Sequence, residues 1–313
     1  MGTILVDWLQ AALRYAAPLL LVAVGEVFAE RSGVINMGVE GIMLVGALAG
    51  VAGAYYLKSL VLAVLITIIV GALMGLVVSY LTVSRRTNQV VTGLMINMLC
   101  LGATDMLFSM MSETRTNRCE TFPIIFPEFM QNIPVIGKIL FCQPISTWIA
   151  FVLPIFAAYF MYKTRWGLNV RAVGDNPKAA ATAGLDVIKI KYQTVILSGI
   201  FAALGGCALT LAEVGYFSAG GMANGRGFIV MAACVVGGWD PIRTSLVCLA
   251  FGAADAAQIR IQTLSNFPYQ FLQMFPYVVT VIALAIMVMV CAILGTIAMG
   301  MMFNVEEVMA NQD

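Results

Sequence analysis

Ser59 to Ser84 reads SLVLAVLITIIVGALMGLVVSYLTVS and carries no charged residue. A bilayer core about 30 Å thick takes roughly 20 helical residues at about 1.5 Å each. This stretch is therefore long enough to cross a membrane as one helix, and it does not stand alone. Working outward, uncharged or nearly uncharged runs cover Tyr15–Gly25, Gly41–Leu57, Thr87–Thr104, Ile139–Tyr162, Tyr192–Ala212, Gly227–Trp239, Thr244–Ala254 and Phe271–Phe303. The sequence predicts an all-α polytopic membrane protein of about nine crossings, eight or ten also being compatible. Residues 1–313 are expected to form one membrane domain.

Composition agrees. The chain has 313 residues, 61% hydrophobic and 11% charged, whereas globular domains carry about 25% charged residues. That excludes a soluble enzyme, a nucleic-acid binder and a secreted disulfide scaffold. There is no histidine, which removes histidine general bases, Ser-His-Asp systems and HExxH zinc sites. No GxxxxGK[ST] sequence occurs, so any ATP consumed must be bound by another subunit. No cofactor, metal site or catalytic residue is expected. The first ten residues lack a basic n-region and carry Asp7, so the first hydrophobic segment is read as a retained helix.

Positive charge orients the crossings. Lys163, Arg165, Arg171, Lys178, Lys189 and Lys191 crowd the connection 163–191, and Arg85 and Arg86 mark another end. Both are expected in the cytoplasm. The connection Ser112–Ile145 balances Arg115, Arg118 and Lys138 against Glu113, Glu120 and Glu128, and is expected outside. Counting crossings puts the N-terminus outside and the C-terminus in the cytoplasm. Of the seven cysteines, Cys100, Cys207, Cys234, Cys248 and Cys291 lie in apolar runs and read as small core residues. Cys119 and Cys142 share the polar connection, and an oxidising exterior would allow them to pair, although spacing alone does not establish the geometry. Gly46-xxx-Gly50 and Gly71-xxx-Gly75 suit close helix approach, within a bundle or at a subunit interface.

Two stretches interrupt the apolar pattern in the same way. Gly25–Gly41 and Glu213–Gly227 each pack glycines and ionisable residues against the start of an apolar helix. Paired breaks in opposite halves suggest an inverted repeat around a central pathway; the alternative is two glycine-rich loops at the membrane edge. Carboxylates near lipid are costly unless paired or water-facing, which singles out Glu26, Glu30, Glu40 and Glu213. Arg31 and Arg226 are available partners, and Asp105 and Asp255 have the same two readings. Asn97 bonds either a neighbouring helix or cargo. Glu26, Asn36, Glu40, Asn97 and Glu213 are the candidate path residues.

Within the basic connection, Asn176 is a good N-cap and Pro177 suits the first helical turn. Lys178–Ala183 favour helix and Gly184 supplies a left-handed stop. Such a helix of about two turns is unstable alone in water, so something must hold it. It reads either as a foot docking into a cytoplasmic protein or as a connector whose job is orientation.

These residues give the chain a resemblance. Gly25-Glu26, Glu30 through Gly41, Arg171 through Pro177 with Ala180, Ala181 and Gly184, Gly205-Gly206, and Gly227-Phe228-Ile229 through Gly237-Gly238-Trp239-Asp240-Pro241 carry it. The chain resembles the permease subunit of a type II ABC importer, in the class serving branched-chain amino acids, simple sugars and nucleosides. It is most similar to the nucleoside-uptake branch, over roughly Gly25 to Gln262, at the length of the shorter of two paired permeases. The resemblance implies a heteromeric importer of a bacterial cytoplasmic membrane, with a second permease, a cytoplasmic ABC ATPase and an external substrate-binding lipoprotein. Asn176–Gly184 would be the coupling helix, with Arg171, Gly174, Asp175, Asn176, Pro177, Ala180, Ala181 and Gly184 serving the ATPase contact. Family members often end in a basic, alanine-rich tail; here a Met-rich stretch runs to Phe303 and ends in Glu306-Glu307. Lysine and arginine stay out of the spans apart from the breaks and helix ends. A desolvated anion would want such a partner, so a neutral polar cargo is expected: a nucleoside, with sugars and zwitterionic amino acids also passing that test. The rival reading is an ion-coupled carrier using Glu26, Glu40 or Asp105. A membrane-embedded enzyme is disfavoured by the missing histidines and the lack of a clustered acid pair.

Overall fold

The computed structural model of the chain describes residues 2–111, 119–124, 126, 137–264, 271 and 274–289. The described residues fold into helices α1 (Gly2–Arg31), α2 (Val39–Leu57), α3 (Leu60–Ser79), α4 (Gln89–Met110), α5 (Ile145–Lys163), α6 (Arg165–Asp175), α7 (Pro177–Thr182), α8 (Val187–Ala208), α9 (Arg226–Val236), α10 (Pro241–Leu264) and α11 (Phe275–Met289). A π-helical turn extends α3 through Tyr80–Ser84 and another extends α8 through Leu209–Val214. Arg115, Arg118, Glu113, Glu128, Cys291 and the tail beyond 289 lie outside the described residues.

Local chemistry sets the helix starts. Ser59 accepts from the Leu62 N–H, Asn88 from those of Val90 and Val91, and Asp186 from that of Lys189. Each satisfies donors that helix geometry leaves without a partner. Seven of the helices are long and apolar enough to cross a bilayer, and α9 and α11 are shorter apolar helices. The other two of the nine expected segments, Gly227–Trp239 and Phe271–Phe303, are represented by α9 and by α11, and the second continues outside the described residues. The Gly227–Trp239 segment is the 11-residue α9, which rises about 16 Å, half a bilayer core.

The bundle is built on α1 and α8, which run antiparallel. Gly205 of α8 abuts Pro18 and Val22, Gly25 abuts Ser198 and Phe201, and the Thr194 hydroxyl bonds that of Ser32 at 2.8 Å. On their far sides α1 packs on α10 and α8 packs on α3. Each then breaks and restarts as a helix capped by glycine: α1 through 32–38 into α2 at Gly38, α8 through 215–225 into α9 at Gly225. α2 lies along α8 and α9 along α1. The two halves repeat this plan in opposite senses, as the paired breaks suggested.

Gly46 and Gly50 let α2 meet Ala203 and Cys207 of α8, and Gly71 and Gly75 let α3 meet Gly199 and Ile196 of α8. Both small-residue motifs therefore close the bundle internally, which replaces the subunit-interface reading. Cys119 and Cys142 do not bond to each other. The Cys119 sulfur lies 3.7 Å from the Val51 carbonyl of α2, whereas the Cys142 carbonyl accepts from Arg14 of α1.

Candidate functional site

Both breaks turn back into the bundle. In the first, the Asn36 N–H donates to Glu26 Oε1 at 3.0 Å. Glu26 sits five residues before the end of α1, so the break at Asn36 turns back about 7 Å inside that end. The second break runs back along α4: Phe217 packs on Phe108, the Gly220 N–H donates to Asp105 at 3.0 Å, and Gly221 lies beside Leu101. Phe108 to Leu101 is about 10 Å of helix. Both breaks therefore fold back along helices of the bundle.

The two restarted helices meet through one side chain. Glu40, near the start of α2, accepts from the Gly225 N–H with Oε1 and from the Gly227 N–H with Oε2, both at 2.7 Å. α9 has no side-chain cap of its own, so its unpaired first donors and positive dipole end are met by a carboxylate from the other half. A Cβ on Gly227 would stand 2.8 Å from the Glu40 backbone, so the contact requires glycine there. Asn97 of α4 fastens α2 in turn, accepting from the Gly41 N–H at 2.7 Å and donating to the Met37 carbonyl at 2.8 Å. On α9 the corresponding tie comes from α11, where the Tyr277 hydroxyl donates to the Asn224 carbonyl at 2.6 Å. Met98, Leu101, Asn224 and Phe228 are exposed beside this junction.

The other sequence candidates lie elsewhere. Glu26 and Asn36 are fully buried. Ser198 donates to Glu26 at 2.7 Å and accepts from Asn36 at 2.9 Å, which pins the first break to α8. Glu213 lies 3.7 Å from Arg226, whose guanidinium also meets Asp255 at 3.4 Å and covers the Tyr15 ring at 5.8 Å. Beside this clamp a cavity of about 180 Å³ is lined by Asn224, Arg226, Asp255, Gln258 and Tyr277. Glu30 accepts from the Trp239 indole and, with Glu26, makes no ion pair with Arg31 among the described residues.

The basic connection holds more structure than its sequence suggested. α7 forms as expected: Asn176 accepts from the Lys178 and Ala179 N–H groups at 3.1 Å, and Gly184 ends the turn at φ 85°. Ahead of it, α6 was not anticipated. Thr164 caps it by accepting from the Gly167 N–H at 3.2 Å, and Gly167, Val170 and Val173 are its buried face. α6 is locked to the bundle. The Trp166 ring packs 5.4 Å from Phe28 and its N–H donates to Gln193 at 3.0 Å. Arg171 lies over Tyr162, whose hydroxyl donates to Asp240 at 2.7 Å. Burial alone would raise the Asp240 carboxyl, but the Arg243 and Ile242 N–H groups, Tyr162 and the Arg243 charge hold it below the ordinary carboxylate value.

Gly174 makes the closest approach. A Cβ there would overlap the Arg31 carbonyl oxygen and stand 2.9 Å from its carbon. Arg171 and Gly174 thus face the bundle and Ala180 is buried, while Asp175, Asn176, Pro177, Ala181 and Gly184 are exposed. The result is a continuous solid path from α7 through α6 to the last turn of α1, then through Glu30 and Trp239 to the far end of α9. This arrangement suits transmission of force rather than bond chemistry.

Residues 9–291 match the family described as branched-chain amino acid transport system / permease component. The chain is 36% identical over 285 residues to the nucleoside ABC transporter permease protein NupC of Lactococcus lactis, covering 88% of this chain and 90% of that one. The guanosine ABC transporter permease protein NupQ of Bacillus subtilis is 36% identical over 286 residues, covering 88% and 89%. The putative glucose ABC transporter permease protein TsgC13 of Haloferax volcanii is 36% identical over 264 residues, covering 82% and 78%. A second permease protein of each of the first two organisms matches more distantly, NupB at 26% and NupP at 25% identity. No solved structure matches. The chain is a multi-pass membrane protein and belongs to the family of branched-chain amino acid transport system permease components.

Proposed function

We propose that this chain is one of two permease subunits of an ATP-driven importer, and that its cargo is a nucleoside. The observation that carries the reading is the anchoring of α6 and α7. A six-residue helix capped at both ends is mounted on a second helix that packs without clearance against the end of α1. Ala180 seats one face of that helix on the bundle, the packing a helix so short requires, and a groove on a moving ATPase that grips the exposed face would drive the bundle as a rigid-body switch. Arg171 and Gly174 are the inner bearings of this foot, and Asp175, Asn176, Pro177, Ala181 and Gly184 are its outer face, with Ala180 between. The connection 163–191 and the C-terminus lie in the cytoplasm, 112–145 lies outside, and an external binding lipoprotein delivers cargo there. One domain carries all of this.

The path runs along the face where the two breaks meet, with Glu40 and Asn97 at its midpoint. Glu26, Asn36 and Glu213 hold that path in shape from behind. Exposed apolar and amide groups at Leu101, Phe228 and Asn224 suit a neutral, flat, polar solute. Relatives named for nucleoside and guanosine transport support the cargo, and the relative named for glucose supports a sugar as the second reading. Reconstitute the full complex and measure ATP-dependent uptake of labelled guanosine against excess unlabelled ribose, glucose or leucine. Competition by nucleosides alone supports the proposal. Uptake that persists without ATP and collapses with an ionophore overturns it in favour of an ion-coupled carrier.

A further inference from the structure

Val24 and Phe28 of α1 form the floor of an apolar groove of about 340 Å³, walled by Leu153, Phe156, Ala157 and Phe160 of α5 and by Leu197 and Phe201 of α8. α5 and α8 both pack on α1 but not closely on one another, so the groove opens sideways towards lipid, with Phe156 and Phe160 more than half exposed. Trp166 closes one end, held there by Gln193 and Phe28. Its dimensions match one leaflet. Leu153 to Lys163 is about 15 Å of helix, half of a hydrocarbon core of about 30 Å.

The walls end in positive charge on the same side. Lys163 lies two turns beyond Phe156 on α5, and Arg165 follows at the start of α6. Lys189 continues the row Phe201, Leu197, Gln193 by one further turn of α8. All three cations are exposed. The carboxylate nearest them in sequence, Asp186, accepts from the Lys189 backbone N–H at 3.0 Å as the cap of α8. An apolar slot one leaflet deep with cations at its mouth is complementary to a lipid that has an acyl chain and a negative head.

We propose that this groove is a binding site for one anionic phospholipid from the leaflet on the α6–α7 side. Its acyl chain lies on Val24 and Phe28 between α5 and α8, and its phosphate lies among Lys163, Arg165 and Lys189. The lipid completes the packing behind Trp166 and so stiffens the seat of α6. The site does not depend on which solute the protein carries.

The test uses the whole complex purified from native membranes, with bound phospholipid counted by native mass spectrometry. Wild-type complex retains anionic phospholipid in preference to zwitterionic. In Lys163→Gln/Lys189→Gln that preference falls by about tenfold or more, as expected when two lysines stop meeting lipid charge. Ala157→Trp, which fills the groove, loses the retained lipid of both kinds. A photo-reactive benzoylphenylalanine at Phe156 forms its adduct on phospholipid. Equal retention in wild type and both variants would overturn the proposal, as would an adduct formed on the second permease.

Discussion

Replacing Gly174 with valine isolates the joint between α6 and α1. The new Cβ would overlap the Arg31 carbonyl oxygen. Ordinary carbon–oxygen contact needs about 3.5 Å, so α6 must back away from α1 by on the order of 1 Å. Overpacking of this kind costs about 1–3 kcal/mol, which weakens the joint without unfolding a bundle held mainly by α1 and α8. Gly102 of α4 is the control. A Cβ there meets nothing within 4 Å, and alanine suits a helix interior better than glycine. Complexes carrying each variant are reconstituted, and nucleoside uptake and ATP hydrolysis are measured side by side. Gly174→Val is expected to lower uptake per ATP hydrolysed at least about tenfold, the equivalent of about 1.4 kcal/mol, with normal membrane insertion. Gly102→Ala is expected to stay within about twofold on the same scale. Wild-type coupling in Gly174→Val, or equal losses in both variants, would show that the α6–α1 joint does not carry the stroke.

Three further outcomes follow from the geometry. Glu40→Gln removes the charge that caps α9 and leaves one amide N–H group facing a backbone donor. The melting temperature of the complex should fall, by a change worth about 1–2 kcal/mol. Arg226→Gln leaves Glu213 and Asp255 buried with Arg14 as the remaining nearby cation, a loss of about 3–5 kcal/mol. Adding Glu213→Gln and Asp255→Asn should recover most of it, as measured by thermal unfolding of the detergent-solubilised complex. Asp240 is held below its ordinary carboxylate value, so its stabilising contribution is present above the unfolded value of about 3.9 and is lost as pH falls through the lower folded value. Tyr162→Phe removes one of its donors, so unfolding scans between acid and neutral pH should show a smaller acid-induced loss than wild type.

The helical membrane fold was legible because apolar runs such as Ser59–Ser84 have no other stable state, and α7 was legible because Asn176, Pro177 and Gly184 act locally. α6 was missed although its signals were present: Thr164 as cap and Trp166, Val170 and Val173 at helical spacing. A net basic, loop-like composition masked them. α9 was read as a full crossing because the apolar run to Trp239 does not reveal where Gly237 and Gly238 end the helix. The breaks could be found in sequence, but their depth could not. It depends on long-range pairs such as Glu40 with Gly225 and Gly227, and Asn36 with Glu26 and Ser198. The acids separated for the same reason. Glu26, Glu40 and Glu213 look alike in the chain, yet one pins a break, one caps a helix and one joins a buried clamp with Arg226.

In the proposed mechanism α7 is the point where force enters from a nucleotide-hydrolysing partner. The direct measurement places a cysteine at exposed Lys178 in the assembled complex and follows its reactivity in sealed cells and its crosslinking to the ATPase subunit. No reaction with an impermeant thiol reagent is expected from outside, and a crosslink to the ATPase is expected whose yield changes when ATP binds. Labelling from the exterior, or an intact complex in which position 178 never reaches the ATPase, would contradict it.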